Sequence, residues 1–204
     1  MSYTLIIVVV TVLVSLAAFN NHELLNKLML WPKRMDQPSE YYRLVSSGFI
    51  HADYIHLIFN MLALFLFGRQ VETFFLLFGI PVIMFPIMYL VGIMVASLPS
   101  FIKHRHDGYY RSLGASGGVS AVLFSFVYFA PWAKIFIWFI PVPGIIAAVG
   151  YLIYSATMSK KGIDNVNHDA HFYGAVFGFV FTLLFAADHG RLFMDQLLHP
   201  TFRF

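Results

Sequence analysis

The nine residues 113–121, LGASGGVSA, contain the pattern Gly-x-Ser-x-Gly with Ser116 at its centre. In soluble hydrolases this pattern presents a nucleophilic serine on a sharp turn between a strand and a helix. Here no strand pattern leads into the motif, and the residues from Val119 onward form an apolar run typical of a membrane helix. The motif therefore predicts a serine at the start of a helix, and the missing strands argue against a soluble hydrolase fold.

The composition indicates what surrounds this helix. Of the 204 residues, 59% are hydrophobic and only 11% are charged. A soluble domain of this size cannot bury so many apolar side chains. The net charge of +3 comes without a long basic cluster, so we expect a lipid bilayer and no nucleic acid as partner. The chain has no cysteine, which removes disulfide frameworks and thiolate chemistry. The sequence predicts an integral membrane protein.

Six apolar runs are candidates for membrane-crossing helices, which need about 20 residues each. Four of them are clear, and two are shorter with polar residues near their starts. The runs are 3–19, 54–68, 76–98, 115–130, 135–154 and 172–187. Because no Lys or Arg precedes the first run, we interpret it as a span and not as a signal peptide.

The predicted fold is an all-α polytopic membrane protein with six transmembrane helices. No repeat or linker divides the chain, so we expect one domain over residues 1–204. Pro141, Pro143 and Gly144 predict a kink or local opening in the fifth span.

Polar residues near the starts of three spans are predicted to meet. In a six-span chain the second, fourth and sixth helices begin on the same side of the membrane, so Ser116 and His171 are expected at one depth. His56 and Asn60 are four residues apart and project from one face of the second span. The pattern indicates a single polar pocket near one membrane surface.

The chemistry that suits this pocket is acyl transfer. Ser116 Oγ would attack a carbonyl carbon, and His171 would take its proton and deliver it to the leaving amine. The backbone N–H of Ser116, the His56 imidazole and the Asn60 amide are candidate donors to the oxyanion. No carboxylate is placed as an obvious third member, so we predict a Ser116–His171 dyad that needs no cofactor and no metal.

Three other interpretations of the same residues remain open. Ser116 can be a small packing residue, since Gly114 and Gly118 fit the small-xxx-small spacing of close membrane helices. The histidines near one surface can bind zinc in a His-ligated membrane metallohydrolase, although a His-Glu-x-x-His signature is absent. The chain can also be a non-catalytic protein that binds membrane helices, and such a protein would be free to lose Ser116 or His171.

Several spaced motifs resemble the rhomboid family of intramembrane serine proteases, bacterial members in particular. The resemblance covers roughly residues 1–190 and rests on Tyr42-Arg43, His51-x4-His56-x3-Asn60, Gly68-Arg-Gln-Val-Glu72, Gly114-Ala-Ser-Gly117 and Ala170-His171-x-x-Gly174-x-x-x-Gly178. It implies a six-span bundle with an interfacial loop between the first two helices. It also implies that Ser116 and His171 are catalytic, that His56 and Asn60 bind the oxyanion, and that single-span membrane proteins are cut near the membrane surface.

The remaining motif residues are predicted to support the site. We interpret Arg43, His51 and Glu72 as structural polar groups. We interpret Gly174 and Gly178 as residues that let the sixth span approach the fourth, and Gly114 and Gly117 as small residues that support the nucleophile motif.

Ser120 is a departure from the family pattern. Some members place a tyrosine four residues after the nucleophile, where its ring supports the catalytic histidine, and serine cannot do this. Other contacts must therefore orient His171.

Two arguments about orientation disagree. The proposed catalytic-side loops hold nine Lys and Arg residues and the opposite side holds four, so the positive-inside rule places the catalytic side in the cytoplasm. The nine are Lys27, Lys33, Arg34, Arg43, Lys103, Arg105, Arg111, Lys160 and Lys161, and the four are Arg69, Lys134, Arg191 and Arg203. The resemblance implies the reverse, a bacterial inner-membrane protein whose active site faces outward, and this is our expectation.

Overall fold

The computed structural model describes residues 2–137, 139–162, 164, 166–187 and 190–200. Arg203, which entered the charge count, lies outside these ranges. Helices dominate the described residues: α1 Tyr3–Phe19, α2 His22–Leu28, α3 Arg43–Ser46, α4 Tyr54–Leu77, α5 Met84–His104, α6 Ser116–Phe129, α7 Gly144–Lys161, α8 His168–Phe185 and α9 Arg191–Leu198. Between α6 and α7 lie the strands β1 Lys134–Ile137 and β2 Ile140–Pro143, and short 3-10 turns occupy Pro32–Arg34, Pro38–Glu40 and Ser47–Phe49.

Two helices, α4 and α5, are long and apolar enough to cross a membrane by length and composition, when the described residues are searched. Helices α1 and α6 are apolar but shorter. Helices overlap all six predicted spans, the fifth only in its second part, while the length test supports two crossings.

The boundary between the second and third spans differs from the prediction. Helix α4 continues to Leu77 instead of ending near residue 68, and α5 begins at Met84 instead of residue 76. Gly79 ends α4 with a positive φ of 71°, and the Ile80 N–H donates to the Phe75 carbonyl oxygen over 2.8 Å. A left-handed glycine closes a helix in this way because it has no Cβ to clash.

The fifth predicted span, 135–154, is wrong before Gly144, where two strands replace the expected helix and depart from the all-α prediction. Instead of a kinked helix, β1 and β2 form an antiparallel ribbon in which Lys134 pairs with Pro143 and Phe136 with Pro141. Prolines lack the N–H that a helix interior requires, but they are tolerated on strand edges and at the start of a helix. Helix α7 accordingly begins directly after Pro143.

Helix α6 lies at the centre of the bundle and packs against α4, α5 and α8. At two glycines of α8 the contact with α6 is made by backbone atoms. A Cβ built on Gly174 would collide with the Gly117 carbonyl group, and one built on Gly178 would collide with the backbone of Ala121. The two helices therefore approach as closely as glycine allows, which fixes the depth of the α8 start relative to the α6 start.

Candidate active site

Ser116 is the first residue of α6, and Ala115 is the N-cap. The first N–H groups of a helix have no partner within the helix and carry the positive end of its dipole. Ser116 lines a cavity of about 1130 Å³, and His56, Asn60 and His171 line the same cavity. The structure thus brings the four residues named from the sequence to one space, with the N-terminus of α6 facing it.

Ser116 and His171 lie on the two helices that share the glycine contact. His171 is in the first turn of α8, and the preceding Ala170 carbonyl oxygen would be 3.6 Å from a Cβ on Gly117. Both side chains are partly exposed to the cavity. Among the described residues no hydrogen bond joins them, and catalytic hydrogen bonds often shorten only when substrate is in place.

The loop before Ser116 is shaped around His56. Gly114 has a φ of 120°, and a Cβ built there would lie 2.6 Å from His56 Cε1. Its N–H donates to the Ser47 carbonyl oxygen over 2.9 Å. A larger residue at position 114 would strain the backbone and displace the imidazole. This glycine therefore keeps His56 next to the start of α6.

Asn60 is 8% exposed and lies one turn after His56 on α4. Its Nδ2 donates to the His56 carbonyl oxygen over 2.9 Å. Because an amide nitrogen carries two hydrogens, this bond orients the group and leaves a second donor.

His51 also supports the loop before Ser116. Its Nε2 accepts from the Ala115 N–H over 3.3 Å, and its Nδ1 lies 3.0 Å from Ser15 Oγ. Nε2 can accept only when it is unprotonated, so Nδ1 carries the hydrogen and Ser15 Oγ donates to the Phe49 carbonyl oxygen. Burial first, and then the neighbouring His56, lower the pKa of His51 to about 3. His51 is therefore a neutral structural link between α1 and the residue before Ser116.

His171 contacts two aromatic rings. The Tyr151 ring from α7 stacks on it at a centroid distance of 5.9 Å and an interplanar angle of 23°. The His168 ring meets it edge-on at 5.7 Å, and His168 Nε2 is 3.1 Å from both carboxylate oxygens of Asp164. Tyr151 OH is 2.6 Å from Ser120 Oγ. The sequence showed that Ser120 cannot support the His171 ring as a tyrosine would. It did not identify Tyr151, which lies on another helix, as the residue that contacts this ring.

Asn167 is a second residue near the cavity that the sequence patterns did not predict. As the N-cap of α8 it accepts from the Ala170 N–H over 3.1 Å, and its Nδ2 donates to Ser100 Oγ and Ser112 Oγ over 2.9 and 3.0 Å. These bonds tie the start of α8 to α5 and to the loop before Ser116. Asparagine is a favoured N-cap residue, so this position could have been found from the sequence.

Arg43 and Glu72 are both hydrogen-bonded, but to different parts of the fold. Arg43 is buried, pairs with Glu40, and donates from Nη1 to the carbonyl oxygens of Asn26 and Met29 over 2.8 and 3.0 Å. Glu72 Oε1 accepts from Ser2 Oγ over 3.0 Å and from Thr4 Oγ1 over 2.6 Å at the start of α1. Arg43 therefore anchors the segment between α1 and α4, and Glu72 caps the start of α1.

Four histidines, His56, His104, His168 and His171, line the cavity. Across the ranges that the structure describes, no group of three or more His, Cys, Asp or Glu side chains is arranged to hold a metal ion. The zinc interpretation therefore has no ligand set among those residues.

Comparison with known proteins gives the family. The model of the Rhomboid domain matches residues 38–188. "RHOMBOID-like protein 12, mitochondrial" of Arabidopsis thaliana is 26% identical over 173 residues, which are 77% of this chain and 50% of that protein. "Rhomboid protein 1, mitochondrial" of Saccharomyces cerevisiae is 30% identical over 164 residues, 77% of this chain and 45% of that protein. The chain thus spans about half the length of these relatives. Because the domain match covers most of the chain and includes the α4, α6 and α8 residues around the cavity, this protein belongs to the rhomboid family.

Proposed function

We propose that the protein is an intramembrane serine endopeptidase that cleaves the transmembrane segments of single-span membrane proteins near the membrane surface. The observation that carries this proposal is the cavity shared by Ser116 at the start of α6 and His171 at the start of α8. Membership of the rhomboid family supports it.

The reaction needs only the side chains and one water molecule. Ser116 Oγ bonds to the scissile carbonyl carbon while its proton passes to the His171 ring. The C–N bond then breaks, and the amine leaves with the proton from His171. Water attacks the acyl group on Ser116, gives one proton to His171, and the ester C–O bond breaks. The proton returns to Ser116 Oγ, and the products are a carboxylic acid and an amine.

Three donors that line the cavity would stabilise the negative charge on the carbonyl oxygen. These are the backbone N–H of Ser116 at the positive end of α6, the His56 ring and the second Asn60 amide hydrogen. Such donors act strongly where low dielectric surrounds them.

The proposed membrane arrangement has six crossings, made by α1, α4, α5, α6, α7 and α8, with residues 20–50 at the interface. The mitochondrial names of the two relatives describe those proteins. For this chain we propose a bacterial inner membrane with the active site facing outward. Substrate would approach beside α7. The transmembrane helix of the substrate must unwind locally before cleavage, because the carbonyl groups of an intact helix are already hydrogen-bonded.

A labelling experiment tests the proposed activity. The purified protein is treated with a serine-directed phosphonate and assayed on a single-span substrate in vesicles. Labelling that requires Ser116, together with cleavage, supports the protease. Cleavage that a chelator stops, without labelling, identifies a metallohydrolase. Substrate capture with neither labelling nor cleavage identifies a binding protein.

Removing an oxyanion donor is expected to slow turnover. His56→Ala and Asn60→Ala should each lower kcat by about 10²- to 10³-fold with a smaller change in KM, because their contacts form with the charged oxygen. Steady-state cleavage in vesicles measures both constants. His22→Ala, an exposed histidine on α2, is the matched control. Unchanged kcat in both variants would remove these residues from the site.

The orientation can be measured because the chain has no cysteine. Lys160 and Lys134 are exposed and lie at opposite ends of the β1–β2–α7 segment, whose helix is about 27 Å long at 1.5 Å per residue. In spheroplasts, Lys160→Cys should react with a membrane-impermeant thiol reagent, and Lys134→Cys should react only after lysis. Labelling at position 134 alone would reverse the orientation and leave the proposed chemistry untouched.

A further inference from the structure

Tyr151 and Ser120 form a connected pair next to His171. Ser120 is one turn after Ser116 on α6 and is 3% exposed. Tyr151 reaches it from the second turn of α7, and the two hydroxyl oxygens are 2.6 Å apart. The same tyrosine ring stacks on His171, so three helices meet in this contact.

The hydroxyl group and the aromatic ring of Tyr151 have different partners. Its hydroxyl is bonded to Ser120, and its ring lies 5.9 Å from the Phe124 ring of α6 and 5.9 Å from the His171 ring of α8. The hydroxyl holds the ring in place, and the ring face limits how far the imidazole can swing. A histidine that must face Ser116 Oγ needs this restraint, since a misplacement of about 1 Å can cost about 10²-fold in rate.

We infer that Tyr151 is a positioning residue for His171 and that Ser120 anchors it. The ring that restrains the imidazole is delivered from α7, and the residue one turn after Ser116 acts only through its hydrogen bond to Tyr151. This inference rests on the proposed protease function for its kinetic consequences, but the ring contact itself can be tested without activity.

Four variants separate the ring from the hydroxyl. Tyr151→Leu removes the aromatic face, Tyr151→Phe keeps it, Ser120→Ala removes the anchor, and Tyr173→Leu is the control. Tyr173 is a half-exposed tyrosine on α8 that contacts Phe172. We expect Tyr151→Leu to lower kcat and the rate of phosphonate labelling by about 10- to 10²-fold with KM nearly unchanged. Tyr151→Phe should recover most of this loss.

A double-mutant cycle tests the anchor. If Ser120 acts only through Tyr151, adding Ser120→Ala to Tyr151→Phe should cost no more than either change alone, because both remove the same hydrogen bond. Full additivity would overturn the anchoring role. Equal losses in Tyr151→Leu and Tyr151→Phe would overturn the role of the ring.

A second readout does not depend on catalysis. In protein labelled with ¹³C at histidine Cε1, the His171 signal is assigned by its absence in His171→Gln. Tyr151→Leu should move that signal downfield, because the shielding tyrosine ring is lost, and Tyr173→Leu should not. An unmoved signal overturns the inference. If the unmodified protein neither cleaves nor labels while the shift is seen, the proposed protease function fails and the ring contact stands.

Discussion

Replacing Ser116 by alanine is expected to abolish cleavage, with kcat reduced by about 10⁴-fold or more. His171→Ala should have a similar effect, and the double variant should be no worse than either single one. The reason is that nucleophile and base act as one unit, so removing either leaves only binding and oxyanion stabilisation. The measurement is single-turnover cleavage of a membrane substrate in vesicles, with phosphonate labelling in parallel.

The dyad variants should keep the fold. Ser116 is partly exposed to the cavity, and its side chain makes no hydrogen bond within the described residues, so thermal unfolding should be unchanged. Ser39→Ala, at an exposed serine before α3, is the matched control. Full activity of purified Ser116→Ala or His171→Ala protein would refute the dyad.

Gly178→Val is expected to separate α6 from α8. A Cβ at this position would overlap the Cα, C and O atoms of Ala121, and backbone cannot yield as a flexible side chain can. Overpacking of this kind costs about 1–3 kcal/mol and occasionally more, and we expect the upper end or beyond. Cleavage should fall together with stability, because the start of α8 would lose its position relative to Ser116. Unfolding in detergent and the cleavage assay measure the two effects.

Gly150→Ala is the control for this experiment. Gly150 is on α7, and a Cβ there would meet nothing within 4 Å. Alanine should therefore stabilise the helix by about 0.5–1 kcal/mol, since it lowers the conformational freedom that folding removes. Equal stability of Gly178→Val and Gly150→Ala would show that the helices do not depend on the glycine contact.

Local spacing and composition carried much of the information about this protein. The apolar runs predicted helices, and the order of the motifs around His56, Ser116 and His171 predicted the family, which is confirmed. The same spacing named residues that share one cavity, while their catalytic roles stay predictions. These features can be read from the sequence because each depends on a short periodic pattern or on a motif of a few residues.

The tertiary structure decided what depends on contacts between distant segments. Whether residues 134–137 and 140–143 pair as strands depended on how the prolines are accommodated in the folded chain, and apolarity alone could not show this. The partner of His51 on α1 and the ring that stacks on His171 come from 36 and 20 residues away. Apolar periodicity places Tyr151 on a helix but does not predict which residues it contacts, because side-chain contacts depend on how the helices pack. The sequence alone therefore determined the family and named four residues that share the cavity, while packing of α6, α7 and α8 decided how His171 is held.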